Sequence, residues 1–202
     1  GSIDPSYDNT SGGFPDGIKA IALQSNGKIV VGWGVHRTIF TDSENKKVAR
    51  LNADGTPDSE FKYDFVSNIN ENVYDIAIQP DGKLLVAETY NSRFPGQDRY
   101  ANYFGSLRKN AARDFKINRF NIDGTRDQDF CVKSNQKGAN NIVITTAFQP
   151  DGKLLAGGSF FAYNGNSVNY LVRTNADGSQ DQLFNNGGIG PNSIVYAIAL
   201  QT

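Results

Sequence analysis

Two short phrases recur along this chain at matching intervals, and a chain built from repeats folds as an array of near-identical units. The first phrase sets Asn52, Asp54, Gly55, Asp58 and Phe61 in one register. It returns as Asn121, Asp123, Gly124, Asp127 and Phe130, and again as Asn175, Asp177, Gly178, Asp181 and Phe184. Gly1, Asp4 and Tyr7 fit its tail. The second phrase, Gln24-Ser25-Asn26-Gly27-Lys28, returns as Gln79-Pro80-Asp81-Gly82-Lys83 and as Gln149-Pro150-Asp151-Gly152-Lys153, and Gln201-Thr202 opens it once more. Equivalent glycines lie 54 residues apart from Gly1 to Gly55, 69 from Gly55 to Gly124, and 54 from Gly124 to Gly178. The middle repeat therefore carries an expansion of one hairpin arm. We divide the single repeat domain, 1–202, into repeat 1 (1–54), repeat 2 (55–123, with an insertion at 91–116), repeat 3 (124–177) and a partial repeat 4 (178–202). The chain starts and stops inside a motif and contains no Met, which reads as a processed chain or a portion of something longer.

Each repeat reads as three strands. The first, 18–24, is matched by 73–79, 142–149 and 194–201, and is so nearly continuous in apolar residues that burial on both faces is expected. Every copy carries Ala at one point (Ala22, Ala77, Ala147, Ala199), where a larger side chain would crowd a neighbouring layer. The Asp-Gly or Asn-Gly pair that follows has the chemistry of a tight hairpin, because Gly is free to take positive φ. A second strand follows at 28–32, 83–87 and 153–157, and a third at 48–52, 117–121 and 171–175. No helical period lies between them. Short antiparallel strands in units of this size predict an all-β fold, a β-propeller-like array of repeated antiparallel blades, about three blades plus one strand. Propellers close with about 4 to 8 blades, so the array is expected to be part of a larger propeller.

The run from Gln149 through Asp151-Gly152-Lys153-Leu154-Leu155-Ala156-Gly157-Gly158-Ser159-Phe160, continuing by Tyr163-Asn164-Gly165 to Leu171-Val172-Arg173-Thr174-Asn175-Ala176-Asp177-Gly178, resembles the delta-60 repeat family. The resemblance covers essentially the whole chain. Repeat 2 departs most, with Glu88-Thr89 in place of the Gly-Gly pair and an insertion in place of the Tyr-Asn-Gly loop. The resemblance implies propeller blades, occurrence in bacterial surface or secreted proteins and phage structural proteins, and no shared catalytic set.

Repetition also separates structural residues from functional ones, since a catalytic group is normally needed once. Arg50, Arg119 and Arg173 hold one repeat position, and Asp58, Asp127 and Asp181 hold another, so both read as blade parts, in Arg-to-Asp or Arg-to-carbonyl bridges that lock strand to turn. Calcium is the competing reading, because Asn52, Asp54 and Asp58 offer oxygen ligands around a Gly bend. A distal bidentate Glu is absent and Asx turns need the same residues, so no metal or other cofactor is assigned. His36 is the only histidine, which excludes multi-histidine metal sites, and no nucleophile motif or phosphate loop is present. Seventeen of the 21 acids are Asp, most of them in the turn phrases, so acid–base chemistry has few candidates there and the chain reads as no enzyme. Cys131 reads as a small packed side chain.

Function is expected where the repeats differ. The insertion carries Arg93, Phe94, Arg99, Tyr100, Tyr103, Phe104, Arg108 and Lys109. Interleaved basic and aromatic groups suit an anionic glycan or an acidic protein face. A loop carrying Trp33 and His36, and another carrying Tyr163 and Asn164, are further contact candidates. A net charge of −1 gives no global attraction to nucleic acid, and no apolar run is long enough to span a membrane as a helix. These readings converge on a non-catalytic structural or interaction module of an extracellular, cell-surface or virion protein, acting in assembly or recognition. Its partners would be other protein chains or the remainder of a longer polypeptide. A glycan-binding module, an adhesin or receptor-binding unit, is the alternative, and a polysaccharide hydrolase or lyase is the third reading.

Overall fold

The computed structural model describes residues 17–34, 47–63, 72–91, 113–130, 138–185, 188 and 190–201, with the backbone alone at 89–91 and 113–116. Among the described residues every regular element is a strand. β1 (Ile18–Leu23), β2 (Ile29–Trp33) and β3 (Val48–Leu51) form one antiparallel sheet in that order. β4 (Val73–Ile78), β5 (Leu84–Asn91) and β6 (Arg113–Phe120) form the second. β7 (Val143–Phe148) and β8 (Leu154–Gly158) lead to a short hairpin of β9 (Ala162–Tyr163) and β10 (Asn166–Ser167), after which β11 (Leu171–Thr174) completes the third sheet beside β8. The sheets lie side by side, β1 packing on β4 and β4 on β7. No sheet closes on itself among the described residues.

The recurrent phrases build one loop twice per blade. In the Gln24–Lys28 turn, Gly27 N–H donates to Gln24 O at 2.9 Å and Gln24 N–H to Lys28 O at 2.8 Å. Gly27 takes φ +80°, and Asn26 Oδ1 accepts from Lys28 N–H at 3.1 Å. That is a three-residue hairpin loop closed by a left-handed glycine, with an Asx bond fixing its corner. The Asn52–Thr56 turn repeats the pattern, with Gly55 N–H to Asn52 O at 3.0 Å and Thr56 N–H to Asp54 Oδ1 at 3.0 Å.

The core lies between blades. Leu84 to Glu88 of β5 are buried in succession, and because successive side chains face opposite sides of a strand they serve both neighbouring blades. Leu84 and Val86 pack with Val30, Val48, Val73, Ile76 and Phe120 on one side. Leu85 and Ala87 pack with Val143, Leu154, Ala156 and Val172 on the other. The blades approach so closely that a Cβ on Gly32 would stand 2.5 Å from Val73 Cγ1 and 3.0 Å from Ile76 Cδ1. At the equivalent Gly157 a Cβ would stand 2.5 Å from Val195 Cγ1 and 3.2 Å from Ile198 Cδ1. The middle blade carries Ala87 at this position, and the residue in phase with Ile76 is then the smaller Thr146. Volume is conserved across each interface.

Two expectations are corrected. The first strand is not buried on both faces in every copy: in β1, Ile18, Ile21 and Leu23 are exposed, whereas Val73 and Ile76 of β4 are buried. The reason is positional, since no preceding blade covers β1 among the described residues. The segment 194–201 belongs to no strand or sheet, because no described strand pairs with it. Within the insertion at 91–116, Arg113–Lys116 continue β6 and pair with Glu88–Asn91, which lengthens that hairpin.

Gly32→Ala should cost about 1–3 kcal/mol by overpacking the seam. Pairing it with Ile76→Thr, which recreates the Ala87 and Thr146 combination, should cost less than the sum of the two single changes. Chemical denaturation of the two single variants and the double variant measures this coupling; additive losses would show that the two positions do not share a volume.

Candidate functional site

The most developed polar arrangement is repeated in every blade and joins one blade to the next. Asp58 Oδ2 accepts from Lys28 Nζ and from Arg50 Nε, both at 2.7 Å, while its Oδ1 accepts from Glu60 N–H at 3.1 Å. Asp127 receives Lys83 at 2.7 Å and Arg119 at 2.8 Å, and Asp181 receives Lys153 and Arg173, both at 2.9 Å. The lysine comes from the Gly-Lys end of one phrase, the arginine from the third strand, and the aspartate from the tail of the other phrase. Each aspartate N–H also donates to the carbonyl of its arginine at 2.9 Å. Each guanidinium lies over the phenylalanine three residues beyond the aspartate: Arg50 over Phe61 at 4.7 Å, Arg119 over Phe130 at 4.6 Å, and Arg173 over Phe184 at 4.7 Å.

The arginines also reach outward. Arg50 Nη1 donates to Ile122 O, in the turn of the second blade, and Arg119 Nη1 donates to Ala176 O, in the turn of the third, at 2.7 Å. Lys62 N–H donates to Asp123 O at 2.7 Å, and Phe61 lies so close to the same turn that a Cβ on Gly124 would stand 2.8 Å from its ring. The turn glycine, at φ +87°, therefore serves both its own loop and the neighbouring ring. On the inner strands Asp75 Oδ2 accepts from Thr146 N–H at 2.5 Å and Thr146 Oγ1 at 2.7 Å, a second bond between blades.

The carboxylates are held ionised. Burial alone would raise the pKa of Asp58, but hydrogen bonds from Lys28, Arg50 and the Glu60 N–H outweigh it and bring the value to about 2. Lys153 is the largest influence on Asp181 and, with the Leu183 N–H and Arg173, overrides its burial to reach about 2. Asp127 is shifted the same way, its burial again overcome by Lys83, the Asp129 N–H and Arg119. Asp54 and Asp123 are lowered by hydrogen bonds from Thr56 and Thr125. These bonds bear on the calcium reading: Asp58 Oδ2 faces two cationic groups and Asp54 Oδ1 caps its own turn, so those oxygens are taken by protein donors. No cluster of metal-ligating side chains occurs among the described residues.

The contact candidates are placed unevenly. Trp33 ends β2 and is 6% exposed, so it belongs to the core and not to a presented loop. Tyr163 is buried as well, its hydroxyl donating to Gly178 O at 3.3 Å, and Asn164, at φ +51°, uses its side chain to accept from Gly138 N–H at 3.0 Å. Their neighbour Phe161 is 63% exposed and is the aromatic that this hairpin presents. His36, Arg93, Phe94, Arg99, Tyr100, Tyr103, Phe104, Arg108, Lys109 and Cys131 lie outside the described residues. The sequence reading missed one group. Glu88 is buried in the middle blade, in phase with Trp33 and Gly158, so Ala87-Glu88 and not Glu88-Thr89 stands where the third repeat has its Gly-Gly pair; it accepts from Tyr63 Oη at 3.1 Å and Asn118 Nδ2 at 2.6 Å. The signal was its departure from the repeat at a position flanked by apolar strand.

Residues 24–61 and 149–184 match the family model described as "Domain of unknown function (DUF5122) beta-propeller". Both stretches run from the Gln that opens one phrase through the Arg, Asp and Phe of the other, so the match falls on the elements that build the clusters. Residues 62–148, which hold the insertion, lie outside it. No curated protein matches the chain. The matched description and the three-stranded antiparallel sheets together establish a β-propeller architecture.

Because the folded pKa of Asp58 lies below the ordinary aspartate value of 3.8, its contribution to stability is complete above that value and is lost as pH falls toward about 2. Thermal melts should therefore show Tm falling across that interval, and Asp58→Asn should flatten the dependence. Arg50→Ala should destabilise by about 3 kcal/mol, the lower end for breaking a buried pair, because Lys28 still partners the carboxylate. A chelator should leave Tm unchanged; a fall on chelation would return calcium to these turns.

Proposed function

We propose that the chain is a non-catalytic β-propeller module of the delta-60 repeat type, serving assembly or recognition in a secreted, cell-surface or virion protein. The observation that carries this reading is the saturation of the repeated carboxylates. Asp58, Asp127 and Asp181 each accept from a lysine, an arginine and a backbone N–H. A general acid or base needs a carboxyl free to exchange a proton with substrate near neutral pH, and these are held charged and enclosed. What varies between blades is the peripheral segments, and varied loops on a rigid scaffold are where contacts concentrate. The basic and aromatic residues of the insertion, Arg93, Phe94, Arg99, Tyr100, Tyr103, Phe104, Arg108 and Lys109, supply such a surface for a protein partner.

A second reading, glycan recognition, is favoured by Phe161, which stands exposed on the hairpin that also exposes Asn166 and Asn169. An exposed ring beside amide side chains is the chemistry that stacks on and hydrogen-bonds to a sugar.

Incubation with a panel of neutral and acidic polysaccharides should release no new reducing or unsaturated ends. Turnover that disappears on substituting an Asp outside the turn phrases would overturn the non-catalytic reading. A saccharide array should stay blank with the wild-type chain; binding abolished by Phe161→Ser would establish the second reading in place of the first.

A further inference from the structure

Two enclosed oxygens enter the seam between the second and third blades from opposite sides. Gln79 is 8% exposed and Thr174 1% exposed, and neither Gln79 Oε1 nor Thr174 Oγ1 has a hydrogen-bond partner among the described residues. Strand alternation aims both into one space. Gln79 lies two residues beyond Ala77, so it shares the face of Ala77 and of Leu85, which stands opposite Ala77. Thr174 stands opposite Leu154 and shares its face, and Leu85 and Leu154 belong to one apolar cluster. The amide oxygen and the hydroxyl therefore flank the same leucine packing from the two blades.

Both also lie at the same end of the seam. Arg119 crosses there, its Nη1 donating to Ala176 O at 2.7 Å, and Ala176 is two residues beyond Thr174. The glutamine of this repeat position reaches toward the arginine of its own blade, as Gln149 Oε1 does where it accepts from Arg173 Nη1 at 3.5 Å. Thr174 is itself a departure from the repeat. The residue before the Asn of the phrase is Leu51 in the first copy and Phe120 in the second, and only the third carries a hydroxyl there. Placing a hydroxyl in an apolar position beside an enclosed amide is unfavourable unless something satisfies both.

The geometry points to a site for one buried water in this seam, held between Gln79 Oε1 and Thr174 Oγ1 and bridging the second blade to the third. The water donates to the amide oxygen and accepts from the threonine hydroxyl, so each enclosed oxygen gains a bond nearly as good as a direct one. The surrounding charges select the class of occupant. A cation would stand near the Arg119 guanidinium, and an anion near the Gln79 carbonyl oxygen and the Asp127 carboxylate that the same arginine holds. A neutral molecule that both donates and accepts is what fits, and the enclosure of both oxygens limits it to the size of water. This site is independent of the partner that the module recognises, so its loss leaves those readings standing.

Water-selective NMR on the full 202-residue chain tests the site directly. A long-lived water should contact both the Thr174 methyl and the Gln79 side-chain amide, and the contact at Gln79 should vanish in Thr174→Val. Denaturation midpoints of Gln79→Met, Thr174→Val and the double variant give a second readout. With the bridge in place, each single change strands the oxygen that remains, so both singles should lower the midpoint, and the double variant should lose less than the sum of the two. Thr174→Val is close to isosteric, which keeps the test valid if Gln79→Met perturbs folding. No long-lived water at these groups, a water at Gln79 that persists in Thr174→Val, a direct hydrogen bond between the two side chains, or single changes that raise the midpoint and add in the double variant would each overturn the proposal.

Discussion

One buried carboxylate per blade must hold two cations at once, and most of the architecture follows from that demand. An ionised Asp with a side chain about as enclosed as Asp58, 4% exposed, is tolerated only if its oxygens are hydrogen-bonded and its charge is met. Lys28 meets it from the start of the second strand and Arg50 from the third, so both must arrive in register. Their arrival fixes where the two turns fall. Replacing such a group with apolar residues is often neutral or stabilising, so the cluster is better understood as a device for alignment than as the source of stability. The apolar seams, with Phe120 and Phe160 fully buried, supply the larger driving force, at about 25 cal/mol per Å² of area removed from water.

The arginine converts alignment within a blade into alignment between blades. Its Nε is committed to the aspartate and its face to the phenylalanine, and in the first two blades its Nη1 is committed to the next turn. A lysine at the same position could satisfy the charge but not all three contacts, because it lacks the planar fork and the rigid separation of donors. This explains why the two cations are not interchanged in any of the three clusters. Lys28, Lys83 and Lys153 approach from the solvent side, with side chains 27–33% exposed, while the arginines lie beneath.

Much of this was legible in the sequence, because repetition substitutes for comparison with relatives: three copies of Arg and Asp eight residues apart already mark a fixed pairing. The lysine's part in it was not legible, since a Lys after Asn-Gly or Asp-Gly reads as ordinary hairpin chemistry and only the fold brings it to an Asp 28 to 44 residues away. The burial of Trp33 and Tyr163, named as contact candidates, was hidden for a related reason. An aromatic beside a variable loop carries no sign of which way it faces, and here both turn inward. The exposure of Ile18, Ile21 and Leu23 was equally hidden, because apolar content records what a strand is suited to bury, not whether a neighbour is there to bury it.

The middle blade shows how a repeat accommodates a departure. Where its siblings have Trp33 and Gly158, it has Glu88, a residue that cannot be enclosed without donors, and the donors are supplied locally by Tyr63 and Asn118. Arg126 Nη2 in turn donates to Asn118 Oδ1 at 3.3 Å. Asn118 replaces the Ala49 and Val172 of the other blades, so the substitutions at 88 and 118 form one coupled change rather than two. Immediately beyond Glu88, β5 and β6 stay paired for three residues more, out to Asn91 and Arg113. The polar network thus stands at the base of the lengthened hairpin, where the ladder leaves the repeat pattern and the insertion begins. A satisfied buried network specifies a single arrangement, because any slip in register would leave Glu88 without donors. The blade whose sequence holds the basic and aromatic insertion therefore aligns the two strands flanking it with a group that tolerates only one register.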